Sequence, residues 1–363
     1  MKRLIPLLLI AVLLLSGCAS WSGGSYHHIV PHEDHSGSVN NQNISAYNYR
    51  TLLNALNMLV ENGTESAIIF VQQYDSTVLQ RDIDNAVAHL FERNPIAAYA
   101  AEEIRCELGT NSGRSAISVN ISYTHDKREL LKISRVKDVE EGMAVIAEKL
   151  DSCADSVVLY YEKYRKTDFV QLVEDYASEN PHLVMETPQV KVNIYPDIGT
   201  ARVVELKFIY QTSRETLRSY QNQVRRIFTA ASLYINADAV ASEKYSQIYS
   251  FLLQQDEYEI KTSITPAYSL LRHYEGDAKA FATVYAAMCR ESDLNCVVVT
   301  GTRWGEAWYW NLVETEEGWR HLDIIWSSQE SEYQIRLDAE MEGYVWDYAA
   351  YPATGTGDES GAE

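Results

Sequence analysis

Positive charge is scarce in this chain. Its 363 residues carry 31 Lys and Arg against 51 Asp and Glu, a formal net charge of −20. So acidic a surface repels phosphate backbones and anionic headgroups, which excludes nucleic acid as a partner. Phenylalanine is sparse as well, 7 against 25 tyrosines, so much of the aromatic surface has a polar tip and suits half-buried positions. Only five cysteines occur, and no two have the spacing of a zinc site. No apolar run reaches the roughly 20 residues that span a bilayer. No cofactor signature is present. What the chain has in ordinary measure is core: 46% hydrophobic residues, enough for packed domains rather than disorder.

The start is unlike the rest. Lys2 and Arg3 precede an apolar stretch from Ile5 to Leu15, too short to span, and a small-residue exit, Leu15-Ser16-Gly17-Cys18. A basic start, short apolar core and small-residue exit form an export signal. The exit resembles the bacterial lipobox. That resemblance implies that residues 1–17 are removed and that Cys18 becomes a lipidated, palmitate-bearing N-terminus. The mature chain then carries −22 and sits at the cell membrane, on its extracytoplasmic face, without crossing it. Stable anchoring takes two or more acyl chains. Residues 18–45 are polar and form a tether. Within it His27, His28, His32 and His35 are candidate metal ligands, although no rigid spacing is enforced and Pro31 favours an extended segment. Cys106, Cys153, Cys289 and Cys296 are expected to be free thiols.

Residues 46–235 repeat an order of elements, which gives two α/β units over 46–135 and 136–235. In each, an amphipathic helix (47–60; 139–150) leads to an apolar strand (67–71; 156–161). A second helix (82–91; 168–176) is closed by Asn-Pro (Asn94-Pro95; Asn180-Pro181), and a strand follows (116–123; 202–210). The offsets agree: Ser66 to Ser156 is 90, Asn94 to Asn180 is 86, Tyr123 to Tyr210 is 87. No cluster of His, Cys or paired acids recurs in the two units, so they are expected to bind or to space. A long amphipathic helix, about 212–235, leads on.

Residues 240–350 hold the most specific pattern. Ala267-Tyr268-Ser269-Leu270-Leu271 precedes Tyr274-Glu275-Gly276-Asp277-Ala278-Lys279-Ala280-Phe281, which opens a helix to about Arg290. Strands come next at Cys296–Gly301, Trp308–Glu314 and Gly318–Trp326. This order resembles the bacterial transglutaminase-like superfamily, with its papain-like fold. The family sets a cysteine at a helix start, a histidine on one strand and an aspartate on the next. The helix dipole and the histidine favour the thiolate, and the aspartate fixes the histidine tautomer, for acyl transfer or amide hydrolysis. The fold class implied is α+β: a duplicated α/β region followed by a transglutaminase-like domain, then an acidic tail over 351–363.

Two of the three positions depart from the family. Aligning on Gly276, Ala278, Ala280 and Phe281 places Tyr274 at the cysteine. Aligning on Trp310, Asn311 and Trp319 places Trp308 at the histidine, while Asp323 keeps the aspartate. A hairpin turning near Thr315-Glu316 pairs positions summing to 631, which sets Trp308 opposite Asp323. A tyrosine nucleophile, with an ordinary pKa near 10, needs a base that Trp308 does not supply. The expected function is therefore binding: an inactive domain acting as a scaffold for a peptide, glycan or partner protein, its groove lined by Tyr274, Trp304, Trp308 and Trp310. Half-buried strand packing is the other reading of these aromatics. The alternative function is a hydrolase or acyl transferase working with altered residues.

Overall fold

The computed structural model describes residues 44–253, 270, 276–329 and 332–355. The anchor residue Cys18, the candidate ligands His27, His28, His32 and His35, and Tyr274 lie outside the described residues.

The first unit begins with a short strand β1 (Ile44–Ser45) and helix α1 (Tyr49–Glu61), followed by β2 (Ser66–Phe70), α2 (Leu79–Arg93), α3 (Pro95–Ala100) and the hairpin β3 (Ala101–Asn111) and β4 (Arg114–Tyr123). A single turn, α4 (Lys127–Leu130), links it to the second unit. That unit comprises β5 (Ser134–Val136), α5 (Val139–Asp151), β6 (Ser156–Tyr161), α6 (Phe169–Glu179), β7 (Gln189–Tyr195) and β8 (Arg202–Ile209). The sheets have the same strand order, β1-β2-β4-β3 and β5-β6-β8-β7. The helices α1 and α5 both have 13 residues and begin ninety residues apart. Each is started by a matched cap: Asn48 accepts from the N–H of Thr51, and Asp138 from that of Glu141. Such caps satisfy a backbone donor that the helix leaves free.

Three features differ from the sequence-based expectation. Each unit has two strands more than the alternation alone suggested, one at each sheet edge. At β3 the pattern is masked by Glu102, Glu103, Arg105 and Glu107, charges that a solvated edge strand accommodates. Because β5 pairs with β6, residues 134–135 lie in the second sheet. And Pro95 does not merely close α2. Asn94 accepts from the N–H groups of Ile96 and Ala97, so Pro95 opens the next helix, where its missing N–H costs nothing.

Helix α7 (Arg214–Tyr234) joins the second unit to the C-terminal domain. Its buried stripe, Leu217, Gln221, Val224, Phe228 and Ala231, packs into one core with Cys153 and Met185 of the second unit and with the C-terminal helices. Gln221 donates to the carbonyl of Asp151 at 2.9 Å, which fixes the helix on the second unit. The C-terminal domain adds α8 (Ala241–Leu253), α9 (Ala278–Arg290), β9 (Cys296–Arg303), β10 (Glu306–Thr315), β11 (Gly318–Leu322), α10 (Ile324–Gln329) and β12 (Tyr344–Trp346). The strands form an antiparallel sheet in the order β11-β10-β9-β12. No described helix is long and apolar enough to cross a membrane. Cys106, Cys153, Cys289 and Cys296 are free thiols.

Gly142 lies on the buried face of α5, where an added Cβ would overlap the hydroxyl of Tyr161, itself 2% exposed. Alanine ordinarily gains up to ~1 kcal/mol over glycine in a helix. Here overpacking costs about 1–3 kcal/mol. Gly142→Ala is expected to lower the urea midpoint; an unchanged or raised midpoint would refute the contact.

Candidate functional site

Four elements, β9, β10, α10 and β12, converge on Asp323. Helix α9 begins with Asp277 as its cap, the carboxylate accepting from the N–H of Ala280 at 2.8 Å. The helix packs on β10 through the odd-numbered side chains of that strand. Asn311 donates from Nδ2 to the carbonyl of Ala282 at 2.9 Å, Lys279 Nζ stands 5.5 Å from the centre of the Tyr309 ring, and Val313 joins the helical core. Alternation sends the even-numbered side chains, Trp308, Trp310 and Leu312, to the other face. There they pack with Tyr344, Trp346 and Met341.

Asp323 is 1% exposed and hydrogen-bonded on both oxygens. Oδ2 accepts from Trp308 Nε1–H and from the Tyr344 hydroxyl, each at 2.6 Å. Oδ1 accepts from the backbone N–H of Trp326 at 3.0 Å, and the Asp323 carbonyl accepts from the N–H of Ser327. Asp323 thereby starts α10, which is why the third strand ends at Leu322 instead of running on to Trp326. Arg303 supplies countercharge, with Nη1 3.8 Å from Oδ2. Its guanidinium lies 5.2–5.4 Å from the ring centres of Trp308, Trp326 and Tyr344, a cation–π box around a half-buried cation. Burial and the neighbouring carboxylate push the Tyr344 phenol well above its ordinary range, so it stays a donor.

The hairpin register differs from the expected one. Asn311 pairs with Leu322 and Thr315 with Gly318, so paired positions sum to 633. In that register Asp323 lies two residues off the position opposite Trp308. The two side chains meet because the indole is long enough to span the offset.

The expected groove residues do not share one surface. Trp310 is 1% exposed and part of the core. Trp304 is 68% exposed and sits at the tip of the β9–β10 hairpin, where it and Gly305 both take positive φ, the two-residue turn that fits twisted strands. Its ring covers Gly343, where any Cβ would collide with it, and the Trp304 backbone N–H donates to the Gly343 carbonyl at 2.8 Å. Trp304 therefore holds down the start of β12. Of the three described groove residues, Trp308 alone is hydrogen-bonded to Asp323. The crevice between α9 and β10, lined by Ala278, Phe281, Tyr309, Asn311, Asp323 and Ile325, leaves no room for a water.

A second polar chain is not apparent from the sequence. Trp310 Nε1–H donates to His321 Nδ1 at 2.8 Å, and His321 Nε2 lies 2.8 Å from Asp338 Oδ1, which also accepts from Thr354 Oγ1 at 2.7 Å. Since Nδ1 accepts, the proton belongs on Nε2, and the imidazole is neutral with both nitrogens used. Sequence could have flagged His321 as a histidine inside an apolar strand, but its partners lie 11, 17 and 33 residues away. Among the described residues no group of three or more His, Cys, Asp or Glu could hold a metal ion.

Residues 229–324 match the family model of the transglutaminase-like superfamily. This C-terminal domain is transglutaminase-like. A solved structure described as "Crystal structure of a TGase" is 9% identical, with a TM-score of 0.24, over 60% of this chain and 63% of that one. The chain thus spans less than two thirds of that structure. No curated protein matches the sequence.

Two outcomes are expected here. Trp308→Phe leaves a buried carboxylate short of a donor and should cost about 1–3 kcal/mol in urea denaturation; no loss would show that the bond is dispensable. Burial lowers the His321 pKa from its ordinary value, with the Asp338 bond opposing. The unfolded state then binds more protons between the lowered pKa and about 6.5, so stability is full above that window and falls with pH inside it. His321→Gln should flatten the decline of urea midpoint below pH 6.5, leaving the share of His182, which burial also lowers. An unaltered slope would refute the assignment.

Proposed function

We propose that the chain is a lipid-anchored extracytoplasmic protein whose transglutaminase-like domain is catalytically silent and serves as a binding or scaffold module for a peptide, glycan or partner protein. One observation carries the reading: the Asp323 carboxylate, which the family's histidine would need as its orienting partner, is saturated by an indole, a phenol and a backbone N–H. An indole N–H is a donor only and takes no proton from a nucleophile. Residue 308 also lies on the face of β10 turned away from α9. Lys2, Arg3, the short apolar core and Cys18 support export and lipidation. The same anchor would hold the acidic domains outside the cell membrane.

The test is an amide-hydrolysis and amine-incorporation assay on the full chain in detergent. Turnover no greater than in a blank is expected; turnover that Asp323→Ala abolishes would overturn the silent reading. For the anchor, mass spectrometry of the mature N-terminus should find acylated Cys18. Cys18→Ser should move the protein from the detergent phase to the aqueous phase, and an unmodified Cys18 would sink the assignment.

A further inference from the structure

The second unit holds a cleft of about 470 Å³ lined by Arg135, Lys137, Glu141, Tyr160, Glu162 and Lys163, with Val136 at its base. It lies where β5 and β6 end. These two strands run parallel with α5 crossing between them. The carboxyl ends of parallel strands, beside the start of the crossing helix, are where open α/β sheets receive ligands. The guanidinium of Arg135 lies over the Tyr160 ring on the floor of the cleft, 4.4 Å from its centre. Stacking of this kind fixes the plane of the fork and leaves its edge N–H groups for an oxyanion. Lys137 and Lys163 add two point charges, and none of the three cations makes an ion pair among the described residues. Two carboxylates share the rim. Glu141 is engaged, accepting from the backbone N–H of Lys137 at 2.9 Å; Glu162 is exposed.

The first unit supplies an internal control. The ninety-residue offset that aligns α1 with α5 sets Ser45, Tyr47 and Gln73 at the places of Arg135, Lys137 and Lys163, and Phe70 at that of Tyr160. None of those three positions is cationic there, although Arg114 of β4 lies over the Phe70 ring at 3.9 Å. The fold therefore does not require them. A chain of net charge −20 has gathered three cations around one concavity. At physiological salt the rest of the surface is screened beyond about 8 Å, so the local cluster decides what enters.

We propose that this cleft binds the phosphate group of a phosphomonoester, with Arg135 as the bidentate partner, Lys137 and Lys163 as flanking charges and Tyr160 as the stacked floor. Three cations against two rim carboxylates leave the cleft net positive, and a dianion gains more from that than a carboxylate does. The proposal is independent of the silent reading of the C-terminal domain.

The experiment is titration calorimetry on the full chain with three probes: inorganic phosphate, glycerol 3-phosphate, and vesicles of neutral lipid with and without phosphatidic acid. Binding of a soluble probe identifies a free phosphate ester as the source, and binding confined to phosphatidic acid vesicles identifies a lipid headgroup. In either case Arg135→Gln and Lys163→Gln should each weaken the interaction about tenfold or more. Glu162→Gln, which removes a like charge, should tighten it. All three side chains are exposed, so unchanged thermal unfolding should confirm that the variants fold. Absence of binding to every probe, equal displacement by chloride, or affinities indifferent to Arg135→Gln and Lys163→Gln would overturn the proposal.

Discussion

A carboxylate taken out of water must be hydrogen-bonded on both oxygens or it destabilises the fold that buries it. In the C-terminal domain that demand falls on Asp323. It is met from four elements at once: the indole of Trp308 on β10, the phenol of Tyr344 on β12, the backbone of α10, and the charge of Arg303 on β9. Each donor is placed by a different part of the chain, so the carboxylate locks the sheet, its far edge strand and the following helix into one arrangement. Arg303 belongs to the same lock. Held in a box of three aromatic rings, it is neutralised by Asp323 and in turn offsets the cost of burying that carboxylate.

The Trp310–His321–Asp338–Thr354 chain extends the principle to the end of the domain. It satisfies a buried indole and a buried imidazole while binding the segment after β11 back onto the sheet. His321 also bridges to Arg336 through paired backbone bonds at 2.8 and 2.9 Å. The rings that flank it, Trp310 and Trp346, shield the chain from water. In this face of the domain polar groups serve packing, which leaves little free chemistry beside Asp323.

The two N-terminal units show the converse: one architecture with two surfaces. Strand order, the lengths of α1 and α5, and their caps at Asn48 and Asp138 coincide. Side chains that point into the cores are apolar in both. At the mouths of the sheets the residues differ in charge, because solvent-facing positions at strand ends are not constrained by packing.

Much of the local structure was legible in the sequence. The apolar periods of α1, α5 and α7, the strands β2, β4, β6 and β8, and the order of motifs leading to a transglutaminase-like domain all arise from patterns within a few residues of each other. The polar edge strand β3 was not, because an edge has no buried alternation on its charged positions. The missed β7 is different: Val190, Val192 and Ile194 do alternate. The sequence by itself put forward the residues expected at the family's positions, Trp308 and Asp323 among them. Only the tertiary structure decided what those residues do. It put Trp310 in the core and Trp304 on a turn, and shifted the hairpin by two positions. It also brought Arg303, Tyr344 and His321 into play through contacts spanning tens of residues, because burial and hydrogen-bond satisfaction are properties of the packed chain and not of any segment in it.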